Sequence, residues 1–189
     1  NIKSIDESID YLVDNNKSVS RFGDGEMILI NGGGIRFQEA NEELSVRLKE
    51  IISSNKDIMI CIPGSLISTN NLTSVSKKYW DQNLKESRYC WYKYMNIKKV
   101  YYDAKITRLY IDFKDKSYSE VWFKKIKKVW DKRDVVIIEG EKSRLGMGNN
   151  LFNNVKSIKR ILAPQFNAYN KYHHILEYVK ENIKKDKLI

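Results

Sequence analysis

Ile58-Met59-Ile60-Cys61-Ile62-Pro63-Gly64 is the stretch that decides the fold class. Five consecutive apolar residues leave no polar face, and Pro-Gly closes the run. A strand sheltered on both sides reads this way, as in a parallel sheet covered by helices. Val135-Val136-Ile137-Ile138 is a second such run, and Ile158 to Leu162, ending at Pro164, is expected to be a third, short strand. Shorter extended segments are expected at Val19 to Phe22 and at Val100 to Tyr102.

The segments between these runs carry helical spacing. Ile5, Ile9, Leu12 and Val13 share one face of Ser4 to Asn15, with Ser4, Asp6 and Ser8 as polar start signals. Glu42 to Ser53 turns Leu44, Leu48, Ile51 and Ile52 inward. Val75 to Tyr94 is an aromatic, basic helix, and Tyr118 to Trp130 has a lysine face. Tyr169 to Ile183 is the last amphipathic segment. Glu26 to Ile30 fits either a helical turn or a further apolar segment, and Leu151 to Val155 a short helix or turn. Asn31-Gly32-Gly33-Gly34 is a turn, because glycine reaches positive φ at little cost. Helices alternating with buried strands predict one α/β domain over 1–189, with a mostly parallel sheet covered on both faces. Ligands of such sheets bind beyond the carboxyl ends of the strands. The loops after Phe22, Ile62 and Ile138 would meet there if their strands are parallel neighbours.

The composition fits a soluble globular chain: 42% of the 189 residues are hydrophobic and 31% charged, too apolar for disorder. No apolar run approaches the ~20 residues that span a bilayer. No secretory signal opens the chain, which begins at Asn1 rather than Met. Leu188-Ile189, after the breaker Lys185-Asp186-Lys187, reads as the start of another strand, so a piece of a longer domain is expected. Cys61 and Cys90 match no metal or redox spacing and are expected to be reduced, in a cytoplasmic protein.

Thirty-four basic and 24 acidic residues give a net charge of +10, which attracts nucleic acid, anionic lipid or phosphorylated small molecules without choosing among them. The densest basic run, Lys124-Lys125-Ile126-Lys127-Lys128, has Val121, Trp122, Ile126, Val129 and Trp130 at helical spacing. It therefore reads first as the solvated face of an amphipathic helix.

Three constellations carry chemistry. In Ser20-Arg21-Phe22-Gly23-Asp24-Gly25-Glu26, two carboxylates follow a glycine and an arginine fork. Hard divalent cations such as Mg²⁺ or Mn²⁺ take one or two carboxylates together with phosphate oxygens and water. Arg21 adds a planar donor pair for phosphate. On spacing alone the better account is a helix start, with Asp24 capping and Glu26 in the first turn. The stretch Glu139 to Asn150 follows a buried strand, and its glycines and its Lys142 and Arg144 suit an anionic ligand. It fits neither a Walker A loop nor a dinucleotide fingerprint. In Thr107 to Asp112, Arg108 and Asp112 either bind substrate or pair with each other. His173 and His174, adjacent on one helix, point apart and do not suggest a shared metal.

Ser18 to Glu26, Ile35-Arg36-Phe37-Gln38, Val136 to Gly146 and Lys156 to Ile161, in that order and spacing, resemble the GT-D-type bacterial glycosyltransferases, once a domain of unknown function. The match runs from about Ser18 to Pro164. The resemblance implies a Rossmann-like three-layer domain that uses a UDP-sugar, often UDP-glucose, with Mn²⁺ or Mg²⁺ held through Asp24 and Glu26. It implies a glycan or glycoprotein acceptor, in glycosylation of bacterial surface adhesins or synthesis of surface glycans. The family pattern continues past Ile189 with a further strand, a turn and more helix.

On this reading Arg21, Gly23, Lys142, Arg144 and Arg108 contact the donor, and Glu139 and Glu141 are candidate acceptor bases beside the Asp24–Glu26 pair. Peripheral contact with the inner membrane face and oligomerisation stay open. A basic nucleic-acid-binding module without catalysis is the principal alternative, and a nucleotide-binding regulatory domain without turnover is another.

Overall fold

Each long apolar run becomes a strand in the computed structural model, which describes every residue except 185 and 187. In chain order the elements are α1 (Ile5–Asn15), β1 (Ser18–Arg21), α2 (Asp24–Ile30), α3 (Glu42–Ser53), β2 (Ile58–Ile62), α4 (Ser74–Tyr94), β3 (Tyr102–Asp103), α5 (Ser119–Ile126), β4 (Asp134–Gly140), β5 (Ser157–Ala163) and α6 (Tyr172–Asn182). The chain divides into two compact units, Asn1–Gly33 with Ala40–Ile126, and Gly34–Glu39 with Lys127–Ile189. All strand pairing is parallel, in two sheets ordered β1-β2-β3 and β4-β5, so the run after Ile138 closes a strand of the second sheet.

In the first unit β2 is the central strand, and Met59, Ile60, Cys61 and Ile62 are buried at 0–1% exposure. That two-sided burial is why the sequence there is continuously apolar. The register pairs Arg21 with Cys61 and Ile62 with Asp103, which lines up the carboxyl ends of three strands. α2, α3 and α4 pack on one another, while α1 packs on α5 and β3.

Helix α1 starts at a reciprocal cap. Glu7 N–H donates to Ser4 Oγ at 3.3 Å, and Ser4 N–H donates to Glu7 Oε2 at 2.9 Å. Lys3, then the Ser4 amide and hydroxyl, hold the Glu7 carboxyl down to about 2. A depressed carboxyl contributes stability that is complete above its unfolded value, about 4.3, and is lost as pH falls through its folded value. Amide exchange in the first turn of α1 should therefore accelerate between about pH 4 and pH 2, and Glu7→Gln should flatten that dependence. An unchanged profile in the variant would remove the cap from the explanation.

The lysine run is largely spoken for inside the protein. Lys125 Nζ bonds Asp6 at 2.9 Å and Asp10 at 3.0 Å on α1, and Lys124 pairs with Glu120 at 2.7 Å. Trp122 Nε1 adds a 3.1 Å bond to Asp6. The expected helix is shorter than its periodicity: α5 ends at Ile126, and Lys127–Trp130 form a 3-10 turn. That turn belongs to the second unit, where Trp130 Nε1 donates to Leu151 O at 3.1 Å and Lys127 Nζ to Asn150 O at 2.7 Å.

In the second unit β4 and β5 pair over seven residues, Asp134↔Ser157 to Gly140↔Ala163. On its other side β4 takes Leu188: Val136 N–H donates to Leu188 O at 2.7 Å and Leu188 N–H to Asp134 O at 3.1 Å. The expected strand start at the chain end thus takes a place beside β4, while two residues of the breaker before it, 185 and 187, lie outside the described residues. Gly34–Glu39 joins this unit through Asn167 N–H to Phe37 O at 2.9 Å and through Phe37 stacking on Phe166.

Candidate active site

The first sheet delivers three side chains or turns to its carboxyl edge: Arg21 from β1, the Pro63-Gly64-Ser65 turn from β2, and Asp103 from β3. Phe22 anchors the β1 exit, fully buried, with its N–H donating to Cys61 O at 2.8 Å. Gly23 then caps α2. Gly23 N–H donates to Glu26 Oε2 at 2.6 Å, so Glu26 folds back over the loop. Glycine has no side chain to return a bond, and only this half of a capping box exists.

Arg21 and Glu26 reach over the same glycine. A Cβ on Gly23 would lie 3.2 Å from Glu26 Oε2 and 3.5 Å from Arg21 Nη1. Arg21 is oriented from the 3-10 turn after β3, because its Nε donates to Ala104 O at 3.1 Å. Asp24 is held from α4: the Tyr79 hydroxyl donates to Asp24 Oδ2 in a short hydrogen bond. Burial, and after it Asp24, push the Tyr79 phenol up to about 12, so it stays a neutral donor at physiological pH. Half of the Tyr79 side chain remains exposed.

Asp103 is turned into the protein. Its carboxylate accepts Lys105 N–H at 2.8 Å and lies against Gly64, where any Cβ would collide with Oδ2. Burial pushes the Asp103 carboxyl up, against the pull of the backbone donors and of Lys105 and Arg21. A cavity of about 550 Å³ opens beside it, lined by Gly64, Ser65, Asn71, Asp103, Lys105 and Phe113. Cys61, the β2 partner of Arg21, is a buried free thiol pushed up to about 12, chiefly by desolvation, which makes it inert as a nucleophile.

Asp24 accepts from Tyr79 through one carboxylate oxygen, and Glu26 from Gly23 through one of its own. Their chemistry is that of hard oxygen ligands. Among the described residues no group of three or more His, Cys, Asp or Glu could hold a metal ion. By the chemistry of the donor set, two carboxylates would need phosphate oxygens and water to complete the shell of Mg²⁺ or Mn²⁺.

Arg108 is engaged in an ion pair: its Nε lies 3.4 Å from Asp112 Oδ2. The stronger partner of Asp112 is Lys105, buried, at 2.7 Å, and Ser76 Oγ adds a 3.0 Å bond. In the second unit Glu139 and Gly140 end β4, so the loop proper is shorter than 139–150. Glu139 accepts Leu145 N–H at 3.2 Å and forms a short ion pair with Arg160. Burial raises the Glu139 carboxyl, but that amide and Arg160 outweigh it and hold the carboxyl below the ordinary range. Arg144 folds onto its own loop through Ser143 O at 2.6 Å, while Glu141 and Lys142 are exposed. Gly146, at φ +72°, leaves room for Phe152, whose ring meets that of Trp130 at a tilt of 58°, so this glycine serves packing.

The family model described as glycosyltransferase GT-D fold matches residues 19–189, and the chain belongs to that family. Over 96% of its length it is 38% identical, with a TM-score of 0.91, to 68% of a Streptococcus sanguinis structure described as a new glycosyltransferase (DUF1792). It is 34% identical, with a TM-score of 0.92, to a structure described as a domain of unknown function 1792 with a distinct glycosyltransferase fold, covering 98% of this chain and 67% of that one. It is 35% identical over 95% of its length to Glycosyltransferase GlyD of Streptococcus pneumoniae serotype 4. It is 40% identical over 96% of its length to a probable glycosyl transferase Gly of Streptococcus gordonii. The chain spans only 22% and 27% of those two proteins. No helix among the described residues is long and apolar enough to cross a membrane.

Proposed function

We propose that this chain is the donor-handling domain of a metal-dependent glycosyltransferase, moving a hexose, glucose first among candidates, from a UDP-sugar to a glycan or glycoprotein of the bacterial surface. The observation that carries this reading is the approach of Arg21 and Glu26 over Gly23, with Asp24 next in the chain, where β1 leaves a parallel sheet. Transfer breaks the bond between the anomeric carbon and the diphosphate, and negative charge grows on the leaving oxygen. Asp24 and Glu26 would hold a divalent cation, whose charge would neutralise that oxygen. Arg21, fixed through its Nε, keeps its Nη groups for phosphate oxygens. Within the same unit Arg108 is a weaker phosphate candidate, because Asp112 already engages it.

The acceptor hydroxyl must lose a proton. Of the two proposed bases, Glu139 is committed to Arg160 and Leu145. Glu141 is exposed in the same loop. The non-enzymatic nucleic-acid module has less support: lysines of its densest basic run pair with α1 and with their own helix.

Thermal-shift titration tests the reading. UDP-glucose with Mn²⁺ at a hundredfold excess over its Kd should add about 2.7 kcal/mol, roughly 5–10 °C in Tm for a chain of this size. UDP-glucose or Mn²⁺ alone should give much smaller shifts. An equal shift with UDP-glucose in the presence of a chelator would defeat the metal requirement.

A further inference from the structure

We infer that Tyr79 is the positioning residue of the metal site, its hydroxyl orienting the Asp24 carboxylate for the cation from a helix remote in sequence. This rests on the reading of Asp24 and Glu26 as metal ligands given above. The two carboxylates are held by different means. Glu26 is fixed locally, by the amide of Gly23 three residues earlier. Asp24 stands at the first position of α2, and the hydrogen bond to its carboxylate comes from α4, 55 residues away. Without that bond the short Asp24 side chain is free to turn among its rotamers.

Several features commit Tyr79 to this geometry. It sits within the 21-residue helix α4, one residue before Trp80, which is buried. The two rings meet edge-on at 5.8 Å and an interplanar angle of 86°, which limits the swing of the phenol. α4 also packs on α2 and α3. A neutral hydroxyl adds no charge to the site and donates to one carboxylate oxygen, leaving the other for the cation. Partners of this kind fix ligand orientation, and their loss typically weakens metal binding about 10–100-fold.

The test is Mn²⁺ affinity in the presence of UDP, read by the electron paramagnetic resonance of free Mn²⁺. Tyr79→Phe keeps the ring and removes only the donor. It should raise the Mn²⁺ dissociation constant about tenfold or more, leave the metal-free Tm unchanged, and raise the Mn²⁺ concentration for half-maximal transfer. Turnover at saturating Mn²⁺ should stay close to wild type. Tyr89→Phe, on the exposed side of the same helix, should change none of these.

Unchanged Mn²⁺ affinity in Tyr79→Phe, with Asp24→Ala and Glu26→Ala both losing binding, would overturn the role of Tyr79 and keep the metal site. Tighter binding would also overturn it, showing that the hydroxyl competes with the cation. Retained binding in Asp24→Ala and Glu26→Ala would sink the metal site itself, and with it this inference.

Discussion

Glu26→Gln should keep the fold and lose metal-dependent sugar transfer, and Asp24→Ala and Glu26→Ala should abolish it. The amide variant separates the two roles that the sequence leaves open for Glu26. As a cap, Glu26 needs an acceptor oxygen for Gly23 N–H, and glutamine retains one. As a metal ligand it needs a negative charge, which glutamine lacks. Glu26→Gln should therefore stay within about 0.5 kcal/mol of wild-type stability. Glu26→Ala should lose about 1 kcal/mol, the usual worth of a cap. In transfer the ranking differs. Losing one hard ligand and its charge removes about 3–4 kcal/mol of transition-state stabilisation, roughly 100- to 1,000-fold in kcat/KM. Both Glu26 variants should fall that far, and Asp24→Ala with them. Transfer assays at several Mn²⁺ concentrations, paired with urea melts, decide it. If Glu26→Gln turns over normally, Glu26 is a helix cap and nothing more.

What was legible in the sequence follows the range of the interactions that shape each element. β2 and β4 are readable because burial on two faces writes itself into consecutive apolar residues. β3 is only Tyr102–Asp103, starting two residues after the expected start at Val100. Its pairing with Cys61 and Ile62, and the Ile2↔Tyr101 bridge beside it, come from distant chain and leave no local periodicity. The expected meeting of three loops is realised in part: Phe22 and Ile62 follow adjacent strands of one sheet, whereas Ile138 lies in the other.

The site divides in the same way. Arg21, Gly23, Asp24 and Glu26 form one contiguous motif, and the structure keeps Arg21 and Glu26 together over Gly23. The groups that orient them were not legible. Ala104 holds Arg21 across 83 residues, and Tyr79 holds Asp24 across 55. Nothing in the spacing of the aromatic helix α4 marks Tyr79 among its tyrosines. The Arg108–Asp112 pairing was one of two readings, yet its dominant member, Lys105, carried no sequence signal. A lysine between apolar residues looks like a surface residue until its slot is seen.

That slot carries the largest stability effect expected in the chain. Lys105 is 5% exposed, its ammonium 2.7 Å from Asp112 Oδ2, 5.5 Å from the Phe113 ring centre and 5.9 Å from that of Trp80. Lys105→Met preserves most of the volume and strands a buried carboxylate. Breaking such a pair from one side costs about 3–5 kcal/mol. Arg108 and Ser76 remain on Asp112, so the lower end, about 3 kcal/mol, is expected. For a chain of this size that is roughly 6–12 °C in Tm.

The pH dependence gives the loss a signature. Burial raises the Asp112 carboxyl, but Lys105, Arg108 and Ser76 together hold it below the ordinary range. In wild type its stabilisation is therefore present above about pH 4 and lost as pH falls through the folded value. In the variant, protonating the stranded carboxyl relieves the cost, so the gap between the two proteins should narrow toward about pH 4. Adding Asp112→Asn to Lys105→Met should recover part of the neutral-pH loss, since no buried charge is then unpaired. Activity should follow stability by a short route: Lys105 sits in the 3-10 turn Ala104–Thr107 at the β3 exit, and the Ala104 carbonyl of that turn orients Arg21. A gap of equal size at pH 4 and pH 7, with no recovery in the double variant, would show that Lys105 acts through packing rather than through its charge.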